Sequence, residues 1–210
     1  MNASLIPNLL DVSLCLVALF ISVRSFDVYS RLRPFRILIL GLSMLLVSLS
    51  AAADFTSSYV RVITLHTDWF LYIGQTVGFL FILLSLVQSS DKYLRGLIRL
   101  NVLAFIFLLI LLFLSPVLPA IPDISTRTLL GFPRLIICIF ILCTYFSAYT
   151  SKPTRFSLFM SSAFFFFTVD YLVTLEQYFT PSLSQSFFQG LGDIAGVFGL
   201  VVLVAAVSWE

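Results

Sequence analysis

Asp11, Gln75, Asp170 and Asp193 lie inside apolar runs, each about 8–9 Å from the nearer end at 1.5 Å of helix per residue. Exposing such groups to lipid costs several kcal/mol, so each needs a partner or a task. Two carboxylates held close together repel, and one proton then comes to be shared between them. A cation, a cationic solute or an arginine can replace that proton. Arg134 is such an arginine; with Glu176, Asp68 and His66 it falls nearer the same surface. The pattern therefore points to an acidic pocket open to one side of a membrane. Asp170 and Asp193 would bind a cation or small ligand there, with Gln75, Asp11, Glu176 and Arg134 around them. The plainer alternative makes Asp11 an interfacial, hydrated group and gives Asp170 only a structural hydrogen bond or ion pair.

Asp193 stands out because of its neighbours. In Gly190-Leu191-Gly192-Asp193-Ile194-Ala195-Gly196-Val197-Phe198-Gly199, helical spacing puts Gly192, Gly196 and Gly199 along one face. Small residues at that spacing let a second helix approach closely, and close approach favours interhelical hydrogen bonds. Tight helix packing is the expected use of this face, ahead of an unwound binding site. Gly74-Gln75-Thr76-Val77-Gly78 is a smaller version, with Gln75 able to hold Asp193 or a polar ligand. Phe164 to Phe167 run around a helix, so at least two of those rings must face lipid or a partner.

Other chemistries find little to work with. His66 is the only histidine, which excludes the paired histidines of a membrane b-type haem and a histidine-rich metal centre. Cys15, Cys138 and Cys143 sit inside apolar stretches without metal-like spacing and read as small hydrophobes. No zinc-protease motif or serine-nucleophile motif appears, and Asp170 in Val169-Asp170-Tyr171-Leu172 lacks the context of an aspartyl membrane protease. The chain is expected to be no enzyme and to carry no cofactor or metal. Its net charge of +2, with basic residues scattered between apolar segments, gives no case for nucleic acid.

These residues must be positioned by helices in lipid. Of 210 residues, 60% are hydrophobic and only 10% charged, against about 25% in soluble domains. Mean hydropathy is +1.09. The expected fold is an all-α integral membrane protein, a single domain over 1–210 forming a seven-transmembrane helix bundle. Its spans, each of the roughly 20 residues that a bilayer requires, are 6–23, 34–53, 69–88, 98–118, 132–150, 156–175 and 187–207. Pro34, Pro133 and Pro153 fall at or just outside proposed helix ends. Arg24, Arg31, Arg33, Arg36, Lys92, Arg95, Arg99, Lys152 and Arg155 collect on one side, leaving Arg61, Arg127 and Arg134 on the other. The positive-inside rule then puts the N-terminus outside and the C-terminus in the cytoplasm, in a plasma or bacterial inner membrane. The outer connections are 54–68, of mixed polarity, and 119–131, expected as a stiff irregular cap. Residues 1–8 contain no Lys or Arg, so the first apolar run reads as a membrane helix and not as a signal peptide. Spans 1–3 and 5–7 would make triplets around span 4, as in small carriers, but no matching sequence motif supports a repeat. The chain ends at Glu210, just after the seventh span, which fits either a protein without a cytoplasmic domain or the membrane part of a larger one.

The outside-to-inside topology resembles the rhodopsins and receptor proteins, but the lysine that holds retinal in the last span is missing. A compact seven-helix unit with an outward polar pocket and a cytoplasmic C-terminus also resembles, in architecture, the N-terminal sensor modules of bacterial kinases. The resemblance implies a sensory or signal-transducing domain that passes a ligand- or ion-dependent helix change to a cytoplasmic domain or partner. The alternatives are a small ion- or proton-coupled transporter and a structural subunit of a membrane complex. Expected partners are the lipid bilayer, a small-molecule or cation ligand at the outer side, a cytoplasmic signalling domain, and a second copy through span 7.

Overall fold

In lipid every backbone N–H and C=O must be satisfied within the protein, which leaves the helix as the local solution for such apolar runs. The computed structural model describes residues 5–59, 68–87, 90–117, 124–179 and 185–208. It is all-helical: α1 (Leu5–Leu32), α2 (Phe35–Tyr59), α3 (Asp68–Val87), α4 (Asp91–Leu114), α5 (Ile124–Ser151), α6 (Arg155–Phe179) and α7 (Gln185–Ser208). Among the described residues, α1, α2, α4, α5 and α6 are long and apolar enough to cross a membrane. In α3 and α7 the corresponding apolar stretches, Tyr72–Val87 and Ile194–Ser208, are shorter. The chain is a multi-spanning membrane protein.

Several helices run past the apolar windows that mark them in the sequence. α1 continues through the charged stretch to Leu32, where Asp27 accepts from Arg24 at 2.8 Å and lies 3.1 Å from Arg31. Arg33 ends it in the left-handed region, at φ 55°, and its N–H donates to the Tyr29 carbonyl at 2.8 Å. That is the αL helix cap, with an arginine where glycine is usual. α2 extends to Tyr59 and so takes in the start of the 54–68 connection; residues 60–67 lie outside the described residues. The expected irregular cap at 119–131 is corrected: from Ile124 onward it is the first part of α5. Pro133 is likewise inside that helix, not at its end. It removes one intrahelical bond, to the Leu129 carbonyl, a loss that membrane helices tolerate.

The chain divides into two compact units, Met1–Pro122 and Asp123–Glu210. In the first, α2 packs against α1, α3 and α4, and α4 also meets α3. Ile39, Leu46, Phe70, Phe81, Leu97 and Leu108 form the core of this α2–α3–α4 group. In the second, α6 packs against both α5 and α7, which among the described residues do not meet each other. Phe164 and Phe167 of α6 are buried, Phe165 is exposed and Phe166 stacks on Phe198 of α7 at 5.9 Å.

Each unit seats its third helix on its second in the same way. A Cβ placed on Gly78 of α3 would lie 3.0 Å from the Ser43 carbonyl and 3.2 Å from the Val47 side chain. On Gly199 of α7 it would lie 3.1 Å from the Ala163 carbonyl and 3.0 Å from the Phe167 ring. One helical turn further on, Gly74 faces Ser50 at 2.9 Å and Gly196 faces Asp170 at 2.9 Å. Ser43, Val47 and Ser50 on α2 thus have the spacing and use of Ala163, Phe167 and Asp170 on α6. The sequence hides this likeness because contact geometry, and not residue type, is what is shared.

Candidate functional site

The second unit builds its polar centre from one face of each helix. On α5, Gly131, Arg134 and Cys138 recur at helical spacing, and all three are buried. Arg134 is 7% exposed and lies about 15 Å along α5 from its N-terminus, well inside the helix. The Arg134 guanidinium carbon sits 4.9 Å from the centroid of the Tyr171 ring. Ring and cation attract through the ring quadrupole, more strongly when both are desolvated.

Asp170 precedes Tyr171 on α6 and sends its carboxylate onto the glycine face of α7. Its Oδ1 is 3.0 Å from where a Cβ on Gly192 would be, and its Oδ2 is 2.9 Å from the equivalent point on Gly196. A side chain at either glycine would displace the carboxylate. Thr174, one turn along α6, has its hydroxyl 3.5 Å from Asp170 Oδ1 and 3.3 Å from the Gly192 Cβ position. The arrangement joins a cation on α5, a half-buried carboxylate on α6 and a surface without side chains on α7.

The first unit shows what the same seat looks like without a charge. Ser50 occupies it, and its hydroxyl donates back to the Val47 carbonyl at 2.8 Å, within its own helix. A carboxylate has no proton to return in that way. Close packing at this position is therefore achieved by serine in one unit and, in the other, by a carboxylate 3.5 Å from the Thr174 hydroxyl of its own helix.

Of the residues expected at the site, Asp170, Arg134, Gly192 and Gly196 fall in this second-unit group. Gly199 continues the α7 face against Phe167. Asp193 follows Gly192 on α7, Glu176 lies on α6 and Asp11 on α1, but their side chains lie outside the described residues, as do those of Asp68 and His66. Gln75 belongs to the first unit, buried on α3 between Gly74 and Gly78. That unit also has a polar interior of its own. Asn101 of α4 is fully buried and donates to the Ser43 hydroxyl at 3.2 Å; its Oδ1 has no hydrogen-bond partner among the described residues. Ser22 and Ser25 of α1 are fully buried as well.

Tyr171, Thr174 and Cys138 were not singled out by the sequence. Tyr171 and Thr174 were legible as the immediate and next-turn neighbours of Asp170, and Cys138 as the i+4 neighbour of Arg134. Among the described residues no three His, Cys, Asp or Glu side chains gather as metal ligands would. Compared with known proteins, the chain matches no family model, no curated protein and no solved structure.

Proposed function

We propose that this chain is a membrane sensory unit of seven spanning helices, with its N-terminus outside and its C-terminus in the cytoplasm. A cation or proton exchanged at Asp170 changes how α7 sits on α6, and α7 passes that change to a cytoplasmic domain or partner. The observation that carries the reading is the contact of the Asp170 carboxylate with Gly192 and Gly196, in a seat that Ser50 fills elsewhere in the same chain. Charge there is not needed for packing, and neutralising it alters the one surface on which α7 rests. A ligand shifts a two-state equilibrium only by its difference in affinity for the two states. A carboxylate that touches the moving surface supplies such a difference directly. Arg134, which lies over Tyr171, the residue next to Asp170 in the chain, is the buried cation of this unit, and an incoming one would compete with it. In this reading no substrate is transformed, and the unit acts by binding and not as an enzyme.

A carrier is the second reading. It is favoured by the like seating of α3 on α2 and α7 on α6, and by the buried Ser22, Ser25, Ser43 and Asn101 in the first unit. One experiment separates the two. Spin labels on α6 and α7 report their separation in lipid nanodiscs as pH and monovalent cation are varied, while a pH-sensitive dye follows flux in proteoliposomes. The sensory reading expects a change in separation without flux, lost in Asp170→Ser, which keeps the packing seat filled. Flux abolished by the same substitution would favour the carrier. An unchanged α6–α7 distance under every condition would overturn the switch.

A further inference from the structure

α4 presents one continuous exposed face that changes from basic to apolar along its length. Lys92, Arg95 and Arg99 are all exposed, recur at helical spacing and line, with Gly96, a groove of about 420 Å³. A Cβ on Gly96 would meet nothing within 4 Å, so the groove is open at its middle. Among the described residues none of these three cations forms an ion pair, unlike Arg24 and Arg31, which pair with Asp27. Asp91 begins the helix and is exposed; Arg95 Nε donates to its backbone carbonyl at 3.3 Å, which uses one of five guanidinium N–H groups. Beyond Arg99 the same face continues as exposed Leu103, Phe107, Ile110 and Leu114. From Arg99 to Leu114 this stripe runs about 22 Å, longer than the ~15 Å of one hydrocarbon leaflet.

We infer that α4 binds an anionic phospholipid, its phosphate in the groove of Lys92, Arg95 and Arg99 and its acyl chains along Leu103, Phe107 and Ile110. Charge complementarity selects the occupant. A phosphate diester with no cation of its own gains from all three side chains, whereas the ammonium of a zwitterionic headgroup is repelled by them. The apolar stripe that leads straight out of the groove matches a ligand whose acyl chains continue from its phosphate, as those of a phospholipid do. Each cation contributes about fivefold in affinity for an anionic surface. This site is separate from Asp170 and does not depend on the role given to it.

The test is native mass spectrometry of the full chain in detergent, titrated with phosphatidylglycerol or with phosphatidylcholine of the same acyl chains. Wild type should retain phosphatidylglycerol preferentially. The triple substitution Lys92→Gln, Arg95→Gln and Arg99→Gln should lower that affinity about a hundredfold. Gly96→Leu, which keeps every charge and whose Cβ meets nothing within 4 Å, should weaken it by filling the groove. Lys152→Gln with Arg155→Gln, which removes exposed basic charge from another helix junction, should leave it unchanged. The site is refuted if wild type shows no preference, or if the triple variant binds as wild type does. Equal loss in the Lys152/Arg155 variant would assign the binding to general basic charge and overturn it too. Inorganic phosphate displacing the lipid at comparable concentration would identify a soluble anion as the occupant and remove the lipid from the assignment.

Discussion

Ser50 and Asp170 occupy like seats with opposite demands, and the glycines opposite them measure how closely the helices approach. The contacts differ in what would have to move. A methyl group on Gly199 would press on the Ala163 backbone carbonyl at 3.1 Å and on a buried phenylalanine ring at 3.0 Å, and neither can yield easily. Overpacking of that kind costs about 1–3 kcal/mol. Gly96 has open space instead, and there alanine regains helix propensity of about 1 kcal/mol. Thermal melts in detergent should therefore show Gly199→Ala well below wild type and Gly96→Ala at or above it. Equal effects at the two positions would mean that the close approach of α6 and α7 does not limit stability. The glycine face of α7 was legible in the sequence because spacing alone defines a face. Its occupant was not, since nothing in a string of residues says that the group facing Gly196 comes from Asp170 on α6.

Helix ends follow a different logic from helix middles. Middles are set by hydropathy, and ends by capping groups that a hydropathy window averages away. α6 shows this at Thr154 and Ser157. The Thr154 hydroxyl accepts from the Ser157 N–H at 3.2 Å, while the Thr154 N–H donates to the Ser157 hydroxyl at 3.4 Å. This reciprocal pair is a capping box with serine in place of the usual acidic or amide residue. Thr154→Ala removes it and should cost about 1 kcal/mol, read as a lower melting temperature with unchanged helix content. A melt indistinguishable from wild type would mean that the junction with α5 is held by other contacts. A hydropathy window also misses the start of α5 at Ile124. Its first turns are polar and contain glycine and proline, which reads as a loop until the helix they extend is seen.

At the scale of the whole molecule, charge asymmetry and packing carry separate information. The basic residues between the helices predict orientation: a fluorescent protein that matures only in the cytoplasm, fused after Glu210, should fluoresce, and a fusion before Met1 should not. The reverse pattern would invert every outer and inner assignment made from charge. Packing organises the chain into two units, each centred on the helix that meets every other helix of its unit, α2 and α6. The first unit adds α4, whose basic groove and apolar stripe are exposed while its buried Asn101 reaches Ser43.

The sequence by itself determined the membrane, the all-helical class, the approximate places of the helices and the polar residues worth watching. Each of these depends on composition or on local periodicity, and both are properties of neighbours along the chain. Tertiary structure alone decided that Arg134 is buried over Tyr171 and that Asp170 rests on Gly192 and Gly196. It alone decided, too, that Ser50 fills the like seat in the other unit. Those are contacts between distant segments, set by the rotation and depth of one helix against another. Apolar residues all around a helix leave both nearly unspecified, and they become definite only where glycine, serine and aspartate let two backbones meet.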